Sequence, residues 1–167
     1  MADVPVPASQ PVIRPGARVI LLDRDDRLLL LRTETEKTDP PVLWITPGGA
    51  VEDGETHEQA ARRELWEETG IEHLDLGPCV WTRQNIWRWG DVYYDSRERY
   101  YLARVDSADL TAERMLVDEI LTFTGFKWWT LDELAASDEF FVPRSLASLI
   151  APLLAGDVPA EPIEVGE

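Results

Sequence analysis

A mixed β-sheet with helices packed on it is the fold class that this chain of 167 residues predicts. Strand-like apolar runs outnumber helical ones, and the two kinds follow one another in mixed order rather than in blocks. The length suits one domain with one real hydrophobic core. Hydrophobic residues make up 44% of the chain and include seven Trp, so there are ample large groups to fill that core. A proline-rich arm over residues 1–15 and a tail over 155–167 lack periodicity and read as flexible flanks to a domain at 16–154.

The elements follow in order. Arg18–Leu22 and Leu28–Arg32 read as two strands joined by the turn signal Asp23-Arg24-Asp25-Asp26, hence a hairpin. The polar stretch from Thr33 to Asp39, closed by Pro40-Pro41, reads as a loop. Val42–Ile45 is a short strand that ends at Pro47-Gly48-Gly49. Thr56–Thr69 reads as a helix, because Thr56 and Gln59 have capping-box spacing and Gly70 stands at the C-cap. Leu74–Trp89 and Tyr93–Val105 are two longer strands around Gly90-Asp91. Residues 106–121 are polar and ambiguous. Thr122–Thr130 is an aromatic-rich strand, and Leu131–Ala136 and Ser145–Leu154 are helices.

Composition excludes several functions. No apolar run approaches the roughly 18 residues that span a bilayer. The N-terminus has neither a basic start nor an apolar run and so is no secretory signal. The single cysteine, Cys79, has no intrachain partner, which predicts a reducing, cytoplasmic setting and a small packed side chain. Net charge is −16, which disfavours broad contact with nucleic acid or anionic membranes but leaves room for an anionic substrate neutralised by a metal ion.

The helix at 56–69 is an odd core helix. At about 100° per residue, Glu64, Glu67 and Glu68 share one arc, while Ala60, Ala61 and Leu65 supply a modest apolar flank. Carboxylates at these spacings repel, and Glu52, Asp53, Glu55, Glu58 and Glu72 crowd the same region. Fold stability does not call for this, but a hard cation does. Magnesium takes oxygen ligands, and such ions polarise phosphorus and activate water. Gly48 and Gly49 allow close backbone approach, Gly49 can offer a carbonyl oxygen, and Arg63 can pair with Glu55 or Glu67.

The whole string then has a precedent. Gly49, Glu55, Arg63, Glu64, Leu65, Glu67, Glu68, Gly70 and Ile71 fill nine constrained positions, with five residues between the first two and seven between the next two. The segment 49–71 resembles the Nudix box in full, and Trp44–Gly49 and the stretch 128–134 resemble that family more weakly. The resemblance implies an α/β/α sandwich around a mixed β-sheet. It implies Mg²⁺-dependent, or Mn²⁺-dependent, hydrolysis of a diphosphate bond in a nucleoside diphosphate linked to another group, with nucleoside triphosphates in the same range. By the family pattern Glu64 and Glu68 are the main metal ligands, Glu67 assists, and Gly49 gives a backbone carbonyl. Arg63 and Glu55 orient the glutamates. The catalytic base is either Glu64 or a residue of a later loop, where Glu113, Asp118 and Glu119 are candidates and Glu119 is the one selected. Some relatives place an acidic residue just before the late tryptophan, where this chain has Lys127. Dimers are common in the family, so a homodimer is expected by analogy.

Substrate choice has to come from outside the box. Between Trp81 and Tyr101, aromatic residues and arginines interleave, a pattern that can stack on a base and hold phosphates. Arg83, Arg99, Trp44 and Tyr101 are the expected contacts; Trp128 and Trp129 are expected in the core, and His57 and His73 on the surface. Two other classes compete with hydrolysis. A non-catalytic nucleotide-sensing module is disfavoured because every box position is filled. A prenyl-diphosphate isomerase needs a protonating Cys–Glu pair, and Cys79 lies outside the box. Capped or triphosphorylated RNA fits poorly with the acidic surface.

Overall fold

The apolar runs at 19–22 and 28–31 are continuous rather than alternating because both of their faces are covered, as in a sheet sandwiched between helices. The computed structural model describes residues 10–106 and 123–166. Its elements are β1 (Val12–Asp23), β2 (Leu28–Glu34), β3 (Val42–Ile45), β4 (Gly48–Ala50), α1 (His57–Thr69) and β5 (Cys79–Trp89). They continue with β6 (Val92–Val105), β7 (Phe123–Trp129), α2 (Leu131–Ala136), β8 (Phe141–Val142), α3 (Leu146–Leu154) and β9 (Ile163–Glu164).

The sheet runs β8-β3-β2-β1-β6-β5-β9, with β4 paired to β1 and β7 to β2. It is mixed: β1 lies parallel to β6, whereas β5 and β6 form an antiparallel ribbon. Ala17, Val19, Leu21, Leu29 and Tyr101 face Ala60, Ala61 and Leu65 of α1. Ile20, Leu22, Leu28, Leu30, Trp81 and Tyr100 face the other way, onto Leu134 of α2 and Leu146, Ile150 and Leu153 of α3. The α/β/α sandwich is therefore present, and the odd helix α1 covers one face of it. No helix among the described residues is long and apolar enough to cross a membrane.

Several boundaries differ from the sequence reading. The N-terminal arm is shorter than residues 1–15, because β1 begins at Val12. The parallel register runs from Val12 against Tyr94 to Asp23 against Val105, so the long ribbon of β6 supplies a template for residues with little strand signal of their own. Pro15 has no amide to donate, but its carbonyl accepts from Val51 N–H at 2.9 Å. Residues 74–78 are irregular, and β5 starts only at Cys79. The tail at 155–167 is not a free flank: Ile163 and Glu164 pair with Trp81 and Thr82, and Val165 N–H donates to Thr82 O at 2.8 Å. That strand was illegible because it exists only through pairing with a distant edge. The two-residue β8, parallel to β3, escaped notice for the same reason.

The hairpin turn formed where expected. Asp23 Oδ1 accepts from the amides of Asp25 and Arg27 at 3.0 and 2.9 Å, which closes the turn between β1 and β2.

Val165 joins the core on the α3 side and is 3% exposed, so the C-terminal strand belongs to the cooperative unit. Val165→Asp should lower unfolding free energy by about 2–4 kcal/mol through burial of an unpaired charge. Urea denaturation reads this out; a loss under about 0.5 kcal/mol, the range of an ordinary surface substitution, would mean the tail is loosely held.

Candidate active site

The helix α1 starts and stops as its sequence dictates. Thr56 Oγ1 accepts from Gln59 N–H at 3.2 Å and Gln59 Oε1 accepts from Thr56 N–H at 2.8 Å. At the other end Gly70 adopts φ 78° and donates to Trp66 O at 2.8 Å. This fixes the rotation of the helix, and with it the arc of glutamates.

Arg63 organises that arc. Its Nε and one terminal nitrogen donate to the two oxygens of Glu55 at 2.9 and 3.0 Å. The other terminal nitrogen donates to Glu64 Oε1 at 2.9 Å and Glu67 Oε2 at 3.2 Å. A further bond, to Ala50 O at 2.9 Å, ties the guanidinium to β4. The pairing expected with Glu55 or Glu67 is thus made with both, and with Glu64 besides. Arg63 holds the Glu55 carboxyl below its usual range. The Glu64 carboxyl is pushed up, first by burial, and its neighbour Glu67 pushes the same way against Arg63. Glu64 and Glu67 thus stay side by side on this face, bridged by one Arg63 nitrogen.

Glu68 sits deeper. It is 5% exposed, and its Oε2 accepts from Gly48 N–H at 2.8 Å. The next residue meets the other glutamate: a Cβ on Gly49 would lie 2.4 Å from Glu64 Oε1. Glu64 and Glu68 thus flank the Gly48–Gly49 peptide, and a side chain at 49 would fill the space where the Glu64 carboxylate rests. Gly48 has φ +139°, and a Cβ there would lie 2.2 Å from Ala17 O.

Among the described residues, no three carboxylate, imidazole or thiol groups converge as a ready-made metal cage. The donor set nevertheless suits a hard divalent ion. Magnesium keeps several waters and commonly uses one or two carboxylates together with substrate phosphates rather than a full protein cage. Oxygen donors of Glu64, Glu67 and Glu68 stand on one helix arc beside a backbone cleared of side chains, which meets that requirement.

The expected substrate contacts are scattered. Arg83 and Arg99 lie on opposite faces of the sheet, since Arg83 pairs across the ribbon with Glu98 and Arg99 with Thr82. Arg83 is buried, bonded to Glu98 at 3.2 Å and, through Nε, to Gly166 O at 3.3 Å. Arg99 is exposed on the α1 side, close enough to His57 to depress its imidazole pKa together with the larger effect of burial. His57 is half-buried rather than on the surface. Trp44 is buried edge-on against Trp129 at 5.1 Å and donates from its indole N–H to Glu139 at 3.1 Å. Tyr101 packs beneath α1. Cys79 is half-buried, with burial raising its thiol pKa. Glu113, Asp118 and Glu119 lie outside the described residues.

Two residues beside the box were not anticipated. Arg18 donates to Glu98 Oε1 at 2.9 Å and to the carbonyls of Thr46 and Gly48 at 3.2 and 3.0 Å. Burial pushes the Glu98 carboxyl up, but Arg18 and Arg83 more than offset this and hold it below the ordinary range. The signal was present, since Arg18 is the one charge in the run from Ala17 to Leu22.

A family model described as NUDIX domain matches residues 12–149. The human m7GpppN-mRNA hydrolase NUDT17 is 30% identical over 129 residues, 72% of this chain and 39% of that protein. An RNA pyrophosphohydrolase of Cereibacter sphaeroides is 28% identical over 139 residues, 74% of this chain and 80% of that protein. The chain therefore spans about two fifths of the human relative but most of the bacterial one. Among solved structures, a MutT protein from Methanosarcina mazei superposes with a TM-score of 0.61 at 16% identity, covering 88% of this chain and 99% of that one. A Caenorhabditis elegans Ap4A hydrolase binary complex superposes with a TM-score of 0.60 at 22% identity, covering 86% and 98%. At these identities the structures speak for the shared fold.

The two glycines of the loop should separate stability from site geometry. Gly48→Ala meets backbone and a forbidden φ, so it should cost about 2 kcal/mol or more in urea denaturation. Gly49→Ala meets first the movable end of Glu64, so it should cost less than about 1 kcal/mol while weakening Mn²⁺ binding roughly tenfold or more. Equal stability losses, or unchanged metal binding in Gly49→Ala, would contradict this geometry.

Proposed function

Because the chain belongs to the NUDIX family, whose members similar to it include named pyrophosphohydrolases, we propose that it hydrolyses a diphosphate bond of a nucleotide-type substrate with the help of Mg²⁺. The observation that supports this most is the pairing of Glu64 and Glu68 about the Gly48–Gly49 peptide, with Arg63 spanning Glu55, Glu64 and Glu67.

When bound, a divalent ion neutralises charge on the diphosphate oxygens and makes water easier to deprotonate. Glu64 and Glu68 would hold it, with Glu67 and the Gly49 carbonyl assisting; Mn²⁺ could take its place. Arg63 and Glu55 keep the glutamates from splaying apart. Water adds to phosphorus, the anhydride P–O bond breaks, and the second phosphoryl group leaves with the bridging oxygen. The proton released by water passes to a carboxylate, for which Glu64 and Glu119 are the candidates. Phosphoryl transfer of this kind depends mainly on positioning and charge neutralisation, which is what this cluster is built to supply.

For the substrate, we favour a soluble nucleoside diphosphate derivative, because a net charge of −16 opposes docking of a long polyanion. Arg99, exposed on the α1 side, would contact the substrate. Trp44 and Tyr101 are engaged in core packing, and no substrate role is assigned to either. The names of the RNA-directed relatives support a second reading, removal of pyrophosphate from a triphosphorylated RNA end. The single cysteine fits a reducing, cytoplasmic site of action.

A product assay with nucleotide sugars, ADP-ribose, dinucleoside polyphosphates, nucleoside triphosphates and a 5′-triphosphorylated oligonucleotide decides the class. Cleavage should require Mg²⁺ or Mn²⁺, and Glu68→Gln should reduce kcat by about 100-fold or more with the fold intact. Turnover at wild-type rate in Glu68→Gln would remove the metal assignment. Failure of the wild type on every compound would favour a sensing module.

A further inference from the structure

The three consecutive carbonyls of Thr46, Pro47 and Gly48 are all anchored to β1. Arg18 donates from one terminal nitrogen to Thr46 O at 3.2 Å and Gly48 O at 3.0 Å, and Val19 N–H donates to Pro47 O at 2.8 Å. On the opposite side of the same residue, Gly48 N–H is taken by Glu68 at 2.8 Å. The Gly48 backbone is thus clamped between a guanidinium on β1 and a carboxylate on α1.

The guanidinium is itself held. Its Nε donates to Glu98 Oε1 at 2.9 Å, and Glu98 is locked through its other oxygen by Arg83 at 3.2 Å and by the Tyr100 hydroxyl at 2.9 Å. Arg18, Arg83 and Glu98 are each 8% exposed. Burying such charges is costly, and apolar residues of like volume would often serve stability as well or better. Apolar side chains could not take up the Thr46 and Gly48 carbonyls. The planar fork of arginine can bond a carboxylate and two carbonyls at once, which lysine cannot.

We propose that Arg18 and Glu98 are positioning residues for the hydrolytic site, acting in sequence: Glu98 orients Arg18, Arg18 fixes the Thr46 and Gly48 carbonyls on either side of the Pro47–Gly48 amide, and that amide, whose carbonyl end Val19 holds, sets Glu68. Neither needs to touch substrate. The inference rests on the diphosphatase reading for its consequence in catalysis, but the positional relay stands on the contacts alone.

Two measurements separate the relay from its consequence. Amide hydrogen exchange followed by NMR, on metal-free and substrate-free protein, reads the clamp directly. Arg18→Lys keeps the charge and the fold, and should speed exchange of the Gly48 amide by about tenfold or more while the amides of Ile20 and Leu21 keep their protection. Glu98→Gln, which leaves the loop untouched, should produce the same local change; if it fails to fold, Arg18→Lys decides alone. Steady-state kinetics of Arg18→Lys should show kcat reduced about 10- to 100-fold, the usual cost of losing a supporting partner, with KM changed less than about threefold. Unaltered exchange at Gly48 overturns the relay. Faster exchange with unaltered kcat overturns its role in the reaction. If the wild type hydrolyses nothing, the functional reading falls, whereas the exchange result still decides the relay.

Discussion

One guanidinium keeps a repulsive cluster of carboxylates in working order. Arg63 bonds Glu55, Glu64 and Glu67 from a single side chain and anchors itself to Ala50 O on β4. Like charges one helical turn apart otherwise destabilise a helix by a few tenths of a kcal/mol per pair. Burial adds to the cost of the charge on Glu64 and pushes its carboxyl up. The rest of the site follows from this arrangement. The capping box at Thr56 and Gln59 fixes the helix start, the left-handed Gly70 fixes its end, and the two glycines of β4 leave room for Glu64 and present an amide to Glu68.

The sheet supplies what the helix cannot. Burial on both faces makes β1 rigid, and β1 in turn holds Thr46, Pro47 and Gly48 through the Arg18 side chain and the Val19 amide. The site therefore stands on regular elements on either side of one short loop, a double support that would supply the precision the proposed phosphoryl transfer demands. The C-terminal strand extends the same scheme. Val165 packs into the core, and Gly166 O bonds Arg83, which bonds Glu98.

The box helix was legible because its information is local: cap residues, periodicity and the spacing of charges all lie within 49–71. The central strands were legible as continuous apolar runs. What stayed hidden depends on distant partners. Val12–Pro15 become strand only against Tyr94–Arg97, and Ile163 and Glu164 only against Trp81 and Thr82. The expected substrate arginines show a second limit. Their interleaving with aromatics is visible in sequence, but the register of β5 on β6 puts Arg83 inward with Glu98 and Arg99 on the opposite face. The pair Arg18 and Glu98 lies 80 residues apart and joins only in the folded sheet, although the lone charge within an apolar strand hinted at one half of it.

The glutamate arc of α1 is proposed as a divalent-cation site. The loss of the free Mn²⁺ electron paramagnetic resonance signal on titration with protein measures this without assuming a substrate. The wild type should take up Mn²⁺, and the double variant Glu64→Gln/Glu67→Gln should bind it at least about tenfold more weakly while keeping its helical circular dichroism. Equal uptake by the two proteins would contradict the account.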